Sequence, residues 1–336
     1  MVASRRKERI DRGVKARSDD LYALASWREM LYVAGPRLAP AALALALPLV
    51  LPPYWQKVLL SVCAYGLLAM SWGFLQAAGL ISLGQALFFG VGAYLAGAAA
   101  HFWKWGPALT IPLGALGGAA VCTLILLPVL RLRGHYFAMV TLVLPLMLVR
   151  LIEATRILGG TEGITGIPSL PSGLGEPYLA VVVTLAVLFA LRRLLASDHG
   201  LVLQAMRDND RAVMRAGHNL YALKAQALFL AGLAGCFSGA FMTHAYMFVG
   251  MPAFALDYSI MPIAAGVVGG PGTVAGPALG ALILVPLSEA LRALGSLRIV
   301  FYGLFLVVFA VALPEGIFPF LVRKYQQRER WIEVDR

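Results

Sequence analysis

Long apolar runs separated by short polar breaks dominate the chain. They lie at about 38–52, 58–80, 84–103, 107–130, 135–158, 178–195, 225–248, 258–270, 274–291 and 299–320. Several approach or exceed the ~20 residues a helix needs to cross the hydrocarbon core. Unbroken runs of this kind do not fit a transmembrane barrel, whose strands alternate with a period of two. The pattern predicts an all-α, polytopic transmembrane helix bundle of nine or ten spans. The first run is short unless its helix begins near Leu31. The stretch 258–291 reads as two spans or as one broken helix pair.

The polar segments divide the chain. Residues 1–37 carry Arg5, Arg6, Lys7, Arg9, Arg12, Lys15 and Arg17 with no apolar run before residue 38. A signal peptide would place its apolar stretch soon after a short basic region. The expectation is therefore an uncleaved cytoplasmic arm, followed by a transmembrane domain over 38–322 and a cytoplasmic tail over 323–336. Leu21, Leu24, Trp27 and Leu31 have helical spacing, which fits a helix at the membrane interface or one packed on the protein.

Composition agrees with the pattern. The chain is 60% hydrophobic and 13% charged, about half the charge fraction of a soluble domain. The net charge of +11 suits basic loops held against anionic lipid, and no aromatic-interleaved basic patch points to nucleic acid. If the arm is inside, Arg131, Arg133, Arg192, Arg193, Arg207, Arg211, Arg215 and Lys224 fall inside too. Lys57 and Lys104 fall outside, with Trp103 and Trp105 at an outer boundary. An inside tail requires an odd number of crossings after residue 257; three satisfy this and leave Arg292 and Arg298 facing out.

The segment 204–219, QAMRDNDRAVMRAGHN, is a charged island between apolar runs. An unpaired charge at mid-membrane costs at least ~3 kcal/mol on insertion scales, so the segment is expected to work outside the bilayer. On a helical wheel over 205–216, Ala205, Met206, Asn209, Ala212, Val213 and Ala216 share one face. Arg207, Asp208, Asp210, Arg211 and Arg215 share the other, where Asp208 and Arg211 have the spacing of an ion pair. Met214 stands on the charged face, and Gly217 suits a left-handed C-terminal cap. Two readings stay open: a solvated helix between spans, or a helix that plugs into a groove on a cytoplasmic partner. Only the second gives Met214 a reason.

Several ordered motifs resemble one family. The run RDNDRAVMRAGHNLYALKAQALFLAGLAGCFSGA, GLISLGQALFFGVGAYLAG at 79–97, RGHYFAMVTL at 133–142, GGTEGITGIP at 159–168 and GVVGGPGTVAGPALGALIL at 266–284, followed by Glu289 and Arg292, are similar to the branched-chain amino-acid ABC transporter permeases, the LivM-like family. The likeness covers about 55–315 and leaves the N-terminal arm uncovered. It implies an ABC-importer permease fold, a second related permease subunit, two cytosolic ATP-binding-cassette subunits, a periplasmic substrate-binding protein, and a bacterial inner-membrane location. It places Arg207, Asp208, Asn209, Asp210, Arg211, Met214 and Gly217 in an ATPase-coupling helix. At 210 the family usually carries a glutamate-like acid, of which aspartate is a shorter version. Substrates in such permeases include branched-chain amino acids, urea and short amides, and aromatic acids.

Candidate path residues are Ser82 and Gln85, three apart and on one face if helical. Ser82 equally suits helix capping. Glu153, flanked at i±3 by Arg150 and Arg156, forms either a structural ion-pair ladder or a path residue. Gly269 and Gly270 belong to GGPGT at 269–273, a break whose freed backbone groups must face protein or a cavity. The loop GGTEGITGIPSLPSGLGEP at 159–177 is long enough to carry a function. The resemblance implies docking of the binding protein there, with Thr161, Glu162 and Glu176 as candidates. Gly235–Gly239 and Gly276–Gly280 are GxxxG pairs, read as helix packing.

Other classes fit less well. A secondary transporter would place acids near mid-membrane, whereas these acids cluster near span ends. A membrane enzyme finds no support in His101, His135, His199, His218 and His244, which lack metal spacing, or in Cys63, Cys122 and Cys236, which lie inside apolar runs. The chain has no GxxxxGK[ST], so no cofactor is expected on it and ATP-Mg would be bound by partner subunits.

Overall fold

A computed structural model describes residues 4–9, 27–132, 134–170, 173–295, 297–327 and 329–334. The chain is a helical bundle with a small terminal ribbon. The spans are α1 (Trp27–Val50), α2 (Pro53–Ala77), α3 (Gln85–Trp103), α4 (Pro107–Leu126), α5 (His135–Thr155) and α6 (Gly175–Leu195). Two short helices follow, α7 (Asp198–Asp208) and α8 (Asp210–Arg215). Then come α9 (Leu220–Tyr246), α10 (Asp257–Gly269), α11 (Ala275–Ala290), α12 (Leu297–Ala312) and α13 (Ile317–Gln326). Among the described residues eight segments are long and apolar enough to cross a membrane, and α1 and α12 supply shorter apolar stretches. This is a multi-pass membrane protein.

Local chemistry sets the helix ends. Pro53 and Pro107 occupy first turns, where a missing N–H costs nothing and φ is already helical. Asn219 caps α9 by accepting from the Tyr221 and Ala222 amides. The last predicted span, 299–320, is in fact two helices. Pro314 and Gly316 interrupt it, and α13 turns back to pack on α10 and α11. Leu21 and Leu24 of the expected interfacial helix lie outside the described residues, while Trp27 and Leu31 belong to α1.

α9 is the central post, packed against α2, α3 and α4. Small residues bring these backbones together. A Cβ on Gly239 would stand 1.9 Å from the Phe89 carbonyl oxygen, and one on Gly92 would stand 2.2 Å from that of Cys236. Gly280 approaches the Ala265 carbonyl as closely, at 1.9 Å. Between apolar helices in lipid, such close packing supplies the attraction that hydrophobicity cannot. The GxxxG glycines are packing positions.

Contacts sort the connections into two ends. At one end the α2–α3 turn, the α4–α5 link, α7–α8 and the α10–α11 turn meet. Tyr221 donates to the Leu127 carbonyl at 2.6 Å, and Gly272 donates to Gln76 at 3.1 Å. At the other end Lys57 pairs with Glu176 at 2.6 Å, Tyr54 donates to Glu289, and Ile164 bridges Val249. Among the described residues four helices lie from Asp257 onward: α10, α11, α12 and the ten-residue α13. Strand β1 (Ser4–Arg9) pairs antiparallel with β2 (Glu329–Val334), setting Arg5 opposite Glu333 and Arg9 opposite Glu329.

Gly239→Val should force α3 from α9 and lower stability by ~2 kcal/mol or more, the cost of overpacking. Gly303→Ala, with nothing within 4 Å of the added carbon, should change little. Thermal unfolding midpoints of the two variants in detergent check this.

Candidate functional site

The charged island is not one helix. α7 stops at Asp208, and Asn209 adopts an extended conformation (φ −156°, ψ 95°). Its side-chain oxygen accepts from the Arg211 and Ala212 amides at 3.1 and 3.2 Å. Asparagine is a poor helix-interior residue and a strong N-cap, so the chain restarts as α8. Asp210 then occupies the first turn of α8, where a carboxylate favours the positive end of the helix dipole. The D-N-D run carried this signal in the sequence.

The break changes the faces. Leu203, Met206 and Val213 are buried against the bundle. Ala205, Ala212 and Ala216 are exposed, contrary to the single-helix wheel. Arg207, Asp208, Arg211 and Arg215 are exposed too, and Met214 stands among them at 44% exposure. Asp208 lies 3.7 Å from Arg207 rather than against Arg211. Asp210 is partly buried, 3.4 Å from Lys224 of α9, and ties α8 to the central post. Gly217 (φ +87°) ends the helix as expected. Its amide bonds to the Met214 carbonyl and that of His218 to Val213, the two bonds of a Schellman cap.

Arg207 is the hinge between this segment and the spans. Its Cα would touch a Cβ on Gly79 at 2.7 Å, and its guanidinium lies 3.0 Å from where a Cβ on Gly272 would be. Both glycines have positive φ, so the turns they make depend on glycine. α7 thus rests on the α2–α3 turn and the α10–α11 turn together. A cleft of about 160 Å³ opens beside it, lined by Gly79, Gly134, Arg207, Asp210 and Lys224 among others.

The α2–α3 connection goes back into the bundle as non-helical chain. Gln85, the first residue of α3, meets Ser71, six residues and about 9 Å before the end of α2. Leu83 meets Thr141, six residues into α5. The helical part of α3 therefore starts well inside the ends of its neighbours. Ser82 lies in the non-helical stretch before α3, so Ser82 and Gln85 do not share a helical face. Backbone amides exposed by the unwinding find hydroxyls: Leu83 donates to Thr141 at 3.1 Å, Gly84 to Ser82 at 3.3 Å and Ala86 to Ser259 at 3.0 Å. Leaving such a donor buried and unpaired costs ~1–3 kcal/mol. Ser82 thus accepts from the Gly84 amide before the helix and does not cap α3, whose N-cap is Gly84. Ser71, Thr141 and Ser259 were not singled out from sequence, because a lone hydroxyl in an apolar run looks the same wherever it points.

Three buried polar atoms have no partner among the described residues: Gln85 Nε2, Trp72 Nε1 and the Tyr94 hydroxyl. Tyr94 stacks on Phe254 at 5.5 Å and borders a cavity of about 370 Å³, otherwise lined by side chains such as Val91, Ile125, Leu148 and Ile152.

The other candidates separate. Glu153 pairs with Arg150 at 2.8 Å, but Arg156 is a left-handed cap (φ +54°), so the expected ladder has one rung. Gly269 and Gly270 are packing positions. A Cβ on Gly269 would stand 1.8 Å from the Gly276 carbonyl, and one on Gly270 would stand 2.5 Å from Pro319. Protein, not a cavity, covers that break. Thr161 and Glu162 are exposed, on a loop held by the Ile164–Val249 bridge and by His244, whose Nδ1 lies 2.8 Å from the Pro168 carbonyl. That carbonyl can only accept, so Nδ1 carries the proton. Glu176 is committed to Lys57 and largely buried, which removes it from the outer surface.

Comparison with known proteins gives a consistent match. Residues 54–313 match the family described as branched-chain amino acid transport system / permease component. The chain is 27% identical over 272 residues to the high-affinity branched-chain amino acid transport system permease protein LivM of Salmonella typhimurium, covering 72% of this chain and 64% of that protein. The Escherichia coli protein of the same name gives the same identity and coverage. A probable branched-chain amino acid transport permease protein LivM of Methanocaldococcus jannaschii is 26% identical over 185 residues, covering 53% of this chain and 54% of its own length. The match thus spans just under two thirds of the first two relatives. No solved structure matches.

Asn209→Ala should unpair the Arg211 and Ala212 amides and cost α8 ~1 kcal/mol. Amide exchange over Asp210–Arg215 should quicken about fivefold at that cost, with α9 unchanged; hydrogen-exchange mass spectrometry reads both.

Proposed function

The chain belongs to the permease-component family of branched-chain amino acid transport systems, and from that premise we propose that it is one membrane subunit of an ATP-driven importer. The substrate is a branched-chain or other small amino acid. The subunit pairs with a second, related permease, receives substrate from a periplasmic binding protein, and lies in a bacterial inner membrane. Two cytosolic ATP-binding-cassette subunits hold ATP-Mg and do the hydrolysis; this chain is a transport subunit, not an enzyme. The N-terminal arm and the C-terminal tail are cytoplasmic, a reading supported by the β1–β2 pairing that holds both on one side.

One observation carries the proposal: α7–α8 exposes a charged face with Met214 in it and packs through Arg207 on two turns of the bundle. The outward face offers Met214, a soft apolar knob among Asp208, Arg211 and Arg215, suited to a groove on a neighbour. The inward face rests on two membrane turns through Arg207. Lys224 and Asp210 keep the segment from swinging free of α9. When ATP draws the two cytosolic subunits together, a shift of α7–α8 reaches the unwound start of α3 and the α10–α11 turn in one movement. ATP then biases a two-state element, because the ATPases grip its two arrangements unequally. At the other end, the ordered loop bearing Thr161 and Glu162 is the docking surface for the binding protein.

Met214→Asp places a charge where the knob seats and should cut copurification of the ATPases at least about tenfold, as loss of a buried interface anchor does. Asp210→Ala should weaken it less, through loosened support of α8. Full retention of the ATPases in the Met214→Asp, Asp210→Ala double variant would remove the coupling role.

A further inference from the structure

The buried start of α3 leaves donors without acceptors. An uncapped helix N-terminus presents backbone N–H groups and a partial positive charge. Here it lies inside the bundle, where bulk water does not reach. Gly84, the N-cap, gives no side-chain bond. Thr141, Ser82 and Ser259 are used by the backbone amides around it. Gln85 is 0% exposed, its amide oxygen accepts from Ser71 at 3.2 Å, and its amide nitrogen has no partner. Trp72, the residue after Ser71, carries a second orphaned N–H and is 4% exposed. Both unpaired groups are donors; the Trp72 ring packs at Gly266 of α10, and Gln85 is the one that stands at the start of α3. A buried donor without a partner is destabilising, so a native structure that keeps two of them calls for an explanation.

An acceptor that comes and goes supplies one. Resting on the transport reading above, we propose that the start of α3 is a carboxylate-recognition point on the translocation path. Gln85 Nε2, at the positive end of the α3 dipole, holds the carboxylate of a zwitterionic amino acid as it passes. Discontinuous helices with their N-termini inside the membrane suit anionic groups for this electrostatic reason. The point is shut in the conformation described, since Gly84 is pressed on Thr141 with room for no Cβ: one would stand 2.1 Å from the Thr141 carbonyl. It opens when α5 parts from α3. The link to ATP is direct, because the non-helical stretch that ends at Gln85 begins at Gly79, under Arg207.

The test uses Gln85→Cys in the assembled transporter. The native Cys63, Cys122 and Cys236 are all buried, so the unsubstituted complex is the blank. The anionic sulfonatoethyl and cationic trimethylammonioethyl methanethiosulfonates are compared with and without ATP, and with and without L-leucine. The anionic reagent should react about fivefold faster in at least one state, the preference a helix N-terminus confers, and leucine should slow it. Equal rates, a cation preference, or no labelling in any state would overturn the proposal. In parallel, Gln85→Glu keeps the shape and repels a carboxylate. It should lower leucine uptake at least about tenfold, the scale of losing a charge-assisted hydrogen bond, while the complex is recovered at wild-type yield. Uptake within twofold of wild type would overturn the proposal. Absence of leucine uptake by the unsubstituted complex would count against the transport reading instead, and the labelling arm would still decide this one.

Discussion

A span that unwinds inside a bilayer exposes amides to a medium that cannot hydrogen-bond them, and much of this molecule is arranged around that constraint. The non-helical stretch before α3 survives because Thr141 from α5 accepts from its Leu83 amide and Ser82 within it accepts from Gly84, while Ser259 from α10 accepts from Ala86 in the first turn of α3. The Ser71, Thr141 and Ser259 bonds each reach it from a different helix. The unwound segment is therefore a junction of α2, α3, α5 and α10 rather than a loose loop. Gly84 is required there because the Thr141 carbonyl occupies the space a side chain would need.

The rest of the bundle supplies a rigid frame for that junction. α9 runs through the middle, with glycine and alanine faces set into α3 and α4 so closely that backbone meets backbone. Lipid gives apolar helices no reason to associate by burial alone, so close contact and a few internal hydrogen bonds must do so. α5 and α6, by contrast, bury little of their surface within the chain. Rigidity sits beside freedom: the post is locked, while α5, which touches the junction through Thr141, is held by few neighbours.

Arg207 joins the frame to the polar segment. It packs on glycine turns from two separate parts of the chain, one at the foot of the unwound stretch and one between α10 and α11. Displacement of α7 cannot leave either turn unaffected, since backbone lies against backbone at Gly79. The short polar helix α7 is thereby only a handful of residues along the chain from the buried start of α3.

Much of this was legible in the residue pattern. Apolar run length determined an all-α multi-pass bundle, because the hydrocarbon core has one thickness and a helix one rise. Gly217 was marked as the end of the charged segment's helix by left-handed geometry, and Met214 as exposed by its place among charges. The ordered motifs pointed to the family. Only the tertiary structure decided how these pieces act on one another. It broke the island at Asn209, gave Asp210 to Lys224, took Glu176 out of the outer surface by pairing it with Lys57, and closed Gly269 and Gly270 against Gly276 and Pro319. It also turned Ser82 from a helical position into a non-helical one and drew Ser71, Thr141 and Ser259 around Gln85. The reason is physical. Hydropathy and spacing report the medium a residue occupies and its local period, whereas a hydroxyl or glycine in an apolar run acquires its role from a partner far along the chain, which only folding brings within reach.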